Sequence, residues 1–259
     1  MALLSVEDVT VRFGGILALD GISFDVPEGS IVGLIGPNGA GKTTLFNVVT
    51  RVYTPQQGAV VFDGQNIVKA RGDSIIRIGI SRTFQNVELF QRMTVLDNVL
   101  VGMHTDIRGP VFAIGAALGL PYVRKAERSA EKRAREVLER VGIGALADRY
   151  VAGLPFGTLK SVELARALAS TPRLLLLDEP AGGLSHDEAQ HLVDLLRRIH
   201  QEFSLTMLIV EHHMGVVMPI SDKIVCLDFG RKIADGTPAE VRGDARVIEA
   251  YLGADEGAA

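Results

Sequence analysis

Apolar residues in the first 35 positions come in short alternating runs, broken at Gly14-Gly15 and at Pro27-Glu28-Gly29. A period of two between turn residues predicts several strands, the last of them the buried run Ser30–Ile35. Thr44–Thr50 then reads as a helix, and β-type runs return at Ala59–Phe62 and Gly79–Arg82. From about residue 92 to 170 the period becomes helical. Within that stretch, Arg124–Arg140 holds seven cations and four anions. Glu131 and Arg135, like Glu136 and Arg140, are spaced four apart in the favourable order. Ala130, Ala134, Val137 or Leu138, and Val141 leave one narrow apolar face, so a solvated surface helix is expected. Leu174–Leu177 and Leu205–Val210 are apolar runs of strand length, separated by an amphipathic helix around Asp187–His200, which makes a βαβ unit. Asp228-Phe-Gly-Arg231 signals a hairpin between two strand-like runs, and short helices follow it.

Composition sets bounds on this outline. The protein has 259 residues, 47% of them hydrophobic, and a mean hydropathy of +0.24, enough for a packed α/β core. A formal charge of −4 and a pI near 5.9 give no global attraction to nucleic acid or anionic lipid, so no nucleic-acid partner is expected. Cys226 is the sole cysteine and lies in an apolar run, where it reads as a small core residue in a reducing setting. The start, Met1–Asp8, lacks a basic stretch followed by an apolar one, so no secretory leader is expected. The longest apolar segment, Val111–Leu120, is ten residues between two prolines, well short of the ~20 that a membrane-crossing helix needs.

The chemistry is concentrated at the turn between the buried strand and the first helix. Gly36-Pro37-Asn38-Gly39-Ala40-Gly41-Lys42-Thr43 satisfies G-x-x-x-x-G-K-[ST], with Thr44 opening the helix behind it. Glycines let the backbone curl so that successive N–H groups and the helix N-terminus point at phosphate oxygens. Lys42 neutralises β/γ charge, and the Thr43 hydroxyl can bind Mg²⁺. Residues Leu174–Leu177 run into Asp178-Glu179-Pro180, which places two adjacent carboxylates at the C-terminal end of a buried parallel strand, where open α/β sheets bind ligands. The first of such a pair can hold Mg²⁺ through water, and the second can polarise the water that attacks a phosphoryl group. An apolar run ending in Asp-Glu is a weak signal by itself, and gains its force from the phosphate loop earlier in the sequence.

Together these motifs resemble the ATP-binding cassette (ABC) ATPases over essentially the full length. The resemblance implies an α/β fold: a RecA-like P-loop NTPase core with an N-terminal antiparallel β subdomain and an α-helical subdomain. Residues 1–259 would form a single nucleotide-binding domain, its core 1–84 plus 168–259 and its helical subdomain 85–167. Gln85, in Ser81-Arg-Thr-Phe-Gln85, matches the glutamine that in this family reaches Mg²⁺ and senses the transport partner. His212, after Leu208-Ile-Val-Glu211, matches the histidine that contacts the γ-phosphate; His213 is its neighbour where the family usually has Asp. Phe13 matches the aromatic that stacks on adenine.

The family's L-S-G-G-Q signature is only partly kept. Leu154-Pro155-Phe156-Gly157-Thr158 occupies its place ahead of a helix, and only Leu154 and Gly157 match. Contact with a partner's γ-phosphate would then come from backbone N–H groups near Gly157 and from the helix dipole. Ser185 stands where many relatives have Asp or Asn.

This Pro-aromatic-Gly form, the segment His104–Arg140 and the ending Val247-Ile-Glu-Ala-Tyr251-Leu-Gly253 resemble the longer ATP-binding subunit of branched-chain amino acid importers. That likeness implies MgATP hydrolysis at the cytoplasmic face of the cell membrane, with Glu179 as base. It also implies a second ATP-binding subunit, identical or related, and two membrane-spanning permeases. A periplasmic or lipid-anchored solute-binding protein would act indirectly. Val111–Leu120 fits either a contact with a membrane subunit or the bilayer surface, or a helix of the subdomain's own core. Lipid- or lipopolysaccharide-exporting ATPases of the same subfamily are the nearest alternative. A soluble ABC ATPase of DNA repair or translation would carry tandem cassettes or coiled-coil arms, and a small-molecule kinase or GTPase would leave Gln85, Gly157 and His212 unexplained.

Overall fold

The computed structural model describes residues 1–83, 87–104 and 121–256. The protein divides into two compact units, one formed by residues 1–82 with 173–259 and the other by residues 83–172.

The first unit holds two sheets. Strands β1 (Ala2–Phe13) and β2 (Ile16–Pro27) make an antiparallel hairpin, which β4 (Gln57–Phe62) and β5 (Gln65–Asn66) extend in the order β2-β1-β4-β5. Ile22, Phe24 and Val26 of β2 are buried while Gly21, Ser23, Asp25 and Pro27 are exposed, the alternation expected of a sheet with one face on a core. The second sheet has the order β10-β9-β3-β8-β7-β6. Its strands β3 (Ile31–Ile35), β6 (Ile80–Arg82), β7 (Leu174–Asp178), β8 (Thr206–Val210) and β9 (Lys223–Asp228) pair in parallel, and β10 (Arg231–Gly236) closes the edge as an antiparallel hairpin on β9. The apolar runs that read as buried strands are buried at every position in β3, β7 and β8.

Each face of the parallel sheet has its own core. Leu34, Leu176, Leu208, Val225 and Leu227 pack with the N-terminal sheet and with Leu45 and Phe46 of helix α1 (Lys42–Val49). On the other face Ile35, Ile224 and Cys226 pack with Val217, Val241 and Val247. Cys226 is therefore the small core residue expected from its apolar run, and burial pushes its thiol up to about 12.

The second unit contains helices α2 (Val95–Gly102), α3 (Pro121–Val141) and α4 (Phe156–Leu168), which pack on one another. The charged segment lies within α3. Ala130, Ala134 and Val141 are buried, as are both Val137 and Leu138, which the periodicity left as alternatives. Arg135 pairs with Glu131 at 3.1 Å and also with Asp148 at 2.8 Å. Val111–Leu120 falls outside the described residues.

Back in the first unit, α5 (His186–Phe203) connects β7 to the parallel β8, which is the expected βαβ unit. Ser185 and Glu188 cap its start reciprocally. Helices α6 (Met214–Ile220), α7 (Pro238–Gly243) and α8 (Ala245–Glu256) complete the unit. Among the described residues no helix is long and apolar enough to cross a membrane.

Candidate functional site

The loop Gly36–Gly41 leaves the C-terminal end of β3 and runs into α1, which begins at Lys42, two residues earlier than the apolar pattern suggests. Glycine is required at both ends of this loop. A Cβ on Gly36 would lie 2.2 Å from the Leu227 carbonyl oxygen, and one on Gly41 would lie 2.8 Å from that of Ala18, each at positive φ. Asn38 and Gly39 form the exposed crest, Pro37 is half-buried and Ala40 is buried. Gly41 caps α1 with no side-chain hydrogen bond, so the amides of the first turn, at Lys42, Thr43 and Thr44, meet no capping side group among the described residues. Thr43 is exposed and Thr44 half-buried.

Lys42 is buried and folds back over its own loop. Its Nζ donates to the carbonyls of Gly36 at 2.7 Å and Pro37 at 2.8 Å. An ammonium has three donors, and no protein acceptor meets the third among the described residues. Burial pushes the Lys42 pKa below its ordinary value, while the carboxylates of Glu179 and Asp178 oppose that shift. The loop thus carries a positive group and uncapped amides in one place, a donor set suited to phosphate oxygens.

The two carboxylates at the end of β7 have different surroundings. Asp178 is 3% exposed and accepts from Arg82 Nη2 at 2.5 Å. That guanidinium also donates to Asn47 Oδ1 of α1 at 2.7 Å and lies 5.5 Å from the centre of the Phe46 ring. Glu179 has φ +45°, a strained value for a residue other than glycine. Its N–H donates to the Val210 carbonyl at 2.9 Å, and its Oε1 is 3.7 Å from Nδ1 of the half-exposed His212. His213 is the N-cap of α6, its ring 4.5 Å from that of His212.

Two further candidates belong to other elements. Phe13 ends β1, 44% exposed, with Tyr53 edge-on at 5.0 Å. Gly157 belongs to the second unit, where α4 starts at Phe156 rather than after Thr158. Pro155, extended at φ −56° and ψ 149°, is its N-cap and contributes no side-chain hydrogen bond, so among the described residues this helix start also has uncapped amides. Gln85 lies outside the described residues.

Among the described residues no group of three or more His, Cys, Asp or Glu could hold a metal ion by itself. Thr43 and Asp178 suit an ion that arrives with a phosphate ligand, because Mg²⁺ is usually held by one or two carboxylates together with substrate oxygens.

Residues 19–182 match the family model described as ABC transporter, and residues 231–257 match the one described as branched-chain amino acid ATP-binding cassette transporter. The chain belongs to the ABC transporter family. Two relatives are similar over nearly their whole length. The protein is 42% identical over 251 residues to a protein of Pseudomonas aeruginosa named high-affinity branched-chain amino acid transport ATP-binding protein BraF, covering 97% of this sequence and 98% of that one. To LivG of Escherichia coli, which bears the same description, it is 41% identical with the same coverage. Among solved structures, the ADP conformation of an ATP-binding cassette of an ABC transporter superposes with a TM-score of 0.85 at 32% identity, over 98% of this protein and 99% of that one.

As an ABC ATPase, the cassette has three site-bordering residues whose place no motif announces. Arg82 sits inside the Ser81–Gln85 run, but an arginine at a strand end gives no sign of the carboxylate it will meet. Glu211 reads only as the residue before a histidine, and Tyr251 only as part of the C-terminal ending. An acidic residue closing the otherwise apolar Leu208-Ile-Val run is the one usable signal, since a charge there must find partners inside the protein.

Proposed function

We propose that this cassette powers the import of branched-chain or related amino acids. The match of residues 231–257 to the second family model carries this reading, because it is separate from the match that identifies the cassette in general. The names borne by the Pseudomonas and Escherichia relatives support it.

The mechanism follows from the residues. Phosphate oxygens of ATP are held by the loop amides within Asn38–Gly41, the N-terminal turn of α1 and the Lys42 ammonium, which exchanges its carbonyl partners for phosphate. Pro37, Asn38 and Ala40 shape this loop, and the ring of Phe13 offers adenine a face. Thr43 and Asp178, with Gln85, are the residues that would hold Mg²⁺. When bound, that ion supplies charge neutralisation at the β- and γ-oxygens. Glu179 takes the proton of the attacking water, and His212 supports the γ-phosphate beside it.

One cassette provides half of each site. We infer that Gly157 and the uncapped start of α4 on a second ATP-binding subunit, identical or related, close over the γ-phosphate. Residues 85–167 serve as the helical subdomain of a single nucleotide-binding domain whose core is 1–84 plus 168–259. Closure of the pair pulls on two membrane-spanning permeases at the cytoplasmic face, and hydrolysis resets it. A solute-binding protein outside the membrane delivers the amino acid.

Reconstitution in proteoliposomes with both permeases tests the reading. Leucine-loaded binding protein should raise ATP hydrolysis several-fold above the rate with ligand-free binding protein. Equal rates with and without leucine, isoleucine or valine would reject this substrate class.

A further inference from the structure

Glu211 follows strand β8 directly, is 0% exposed, and carries a carboxylate where the preceding residues are apolar. A buried charge is costly unless it is fully hydrogen-bonded. Among the described residues its partners are all backbone. Oε1 accepts from the N–H of Ala181 at 2.7 Å, and Oε2 accepts from those of His212 at 3.2 Å and His213 at 3.3 Å. No ion pair to Glu211 occurs among the described residues.

The two oxygens therefore grip different loops. Ala181 lies two residues after Glu179, in the turn that Gly182 N–H closes onto the Glu179 carbonyl at 3.0 Å. His212 and His213 belong to the loop after β8. Glu179 is pinned on both sides, by its own N–H on the Val210 carbonyl and by Ala181 on the Glu211 carboxylate. These pins come from adjacent residues at one strand end, and they hold a backbone that would not otherwise stay at φ +45°.

We propose that Glu211 is the positioning residue of the hydrolytic step. A single carboxylate ties the loop bearing Glu179 to the loop bearing His212 and so fixes the 3.7 Å approach of the two side groups. This rests on the roles given to Glu179 and His212 above. An amide cannot do the same work: in Gln one oxygen is replaced by NH₂, which meets one of the two loops donor against donor.

The test compares E211Q with wild type, E179Q and H212A, all at full length and saturating MgATP. For E211Q, kcat should fall about 10- to 100-fold, the scale on which a small misplacement of catalytic groups acts. ATP affinity by calorimetry should stay within about 2-fold of wild type, since the phosphate loop is untouched. Native-state hydrogen exchange should show the amides of Ala181, His212 and His213 slow in wild type and accelerated together in E211Q. Wild-type kcat in E211Q overturns the proposal, as does parallel loss of kcat and ATP affinity. If E211Q does not fold, exchange in wild type decides: opening of the three amides as one unit upholds the clamp, and fast, independent exchange at Ala181 overturns it. Wild-type turnover in both E179Q and H212A would instead reject the catalytic assignments, a result separate from the Glu211 measurements.

Discussion

The phenolic hydroxyl of Tyr251 accepts a hydrogen bond of 2.8 Å from the amide of Gly36, 215 residues earlier in the sequence. Tyr251 lies in α8, within the segment 231–257 that matches the model of branched-chain amino acid cassettes, and Gly36 opens the phosphate loop. The C-terminal helix is thereby fastened to the Gly36–Gly41 loop, with its tyrosine packed on the core cluster that contains Ile35 and Cys226.

Removing that hydroxyl in Y251F leaves a buried amide without its acceptor, which costs about 1–3 kcal/mol. Urea denaturation should show a loss of this size. Burial, the first cause, raises the Tyr251 phenol above its ordinary 10.0. The unfolded protein therefore ionises at lower pH than the folded one. Stability from this group is intact below about pH 10 and is lost as the pH rises beyond it. Cys226 adds a similar loss that begins near its ordinary 9.0. The difference between wild type and Y251F should accordingly shrink above pH 10, and a difference that is constant with pH would contradict the buried-phenol account.

Arg82 and Asp178 form an ion pair with both partners largely buried. Breaking such a pair from one side strands a charge, so R82M should destabilise the nucleotide-free protein by about 3–5 kcal/mol. Chemical denaturation checks this. A loss below about 1 kcal/mol would mean that Asp178 is solvated once its partner is gone.

Lys42→Ala removes the only cation whose Nζ is hydrogen-bonded to the phosphate loop's own carbonyls among the described residues. Charged hydrogen bonds contribute about 1.5–3 kcal/mol, so ATP affinity should fall about 10- to 150-fold. Calorimetry with unchanged affinity would count against the loop as the triphosphate site.

Glu179→Gln keeps the shape of the side group and removes the carboxylate proposed as base. ATP should still bind, turnover should drop by at least about 100-fold, and size-exclusion chromatography should show an ATP-bound dimer accumulating. Wild-type turnover in this variant would reject Glu179 as the group that takes the proton from water.

Much of the architecture was legible because burial on both faces of a parallel strand needs a continuous apolar run, and Ile31–Ile35, Leu174–Leu177 and Met207–Val210 supply such runs. Helix starts were less legible. Lys42 and Phe156 lie inside their helices although neither belongs to an apolar repeat, because first-turn residues are set by the backbone of Gly41 and Pro155 rather than by a buried face. In α3 the pattern could not choose between Val137 and Leu138, since adjacent helical positions can both reach a wide interface.

The sequence by itself determined the glycine-rich loop, the adjacent carboxylates and the strand-length runs around them, because a tight turn, a local charge and a hydrophobic period are all encoded within a few neighbouring residues. Only the tertiary structure decided that Arg82 faces Asp178, that Glu211 grips the backbone beside Glu179 and His212, and that Tyr251 reaches Gly36. Most of those partners are tens to hundreds of residues apart, and a hydrogen bond's few ångströms of range leave no mark on the sequence until the sheet has brought its strand ends together.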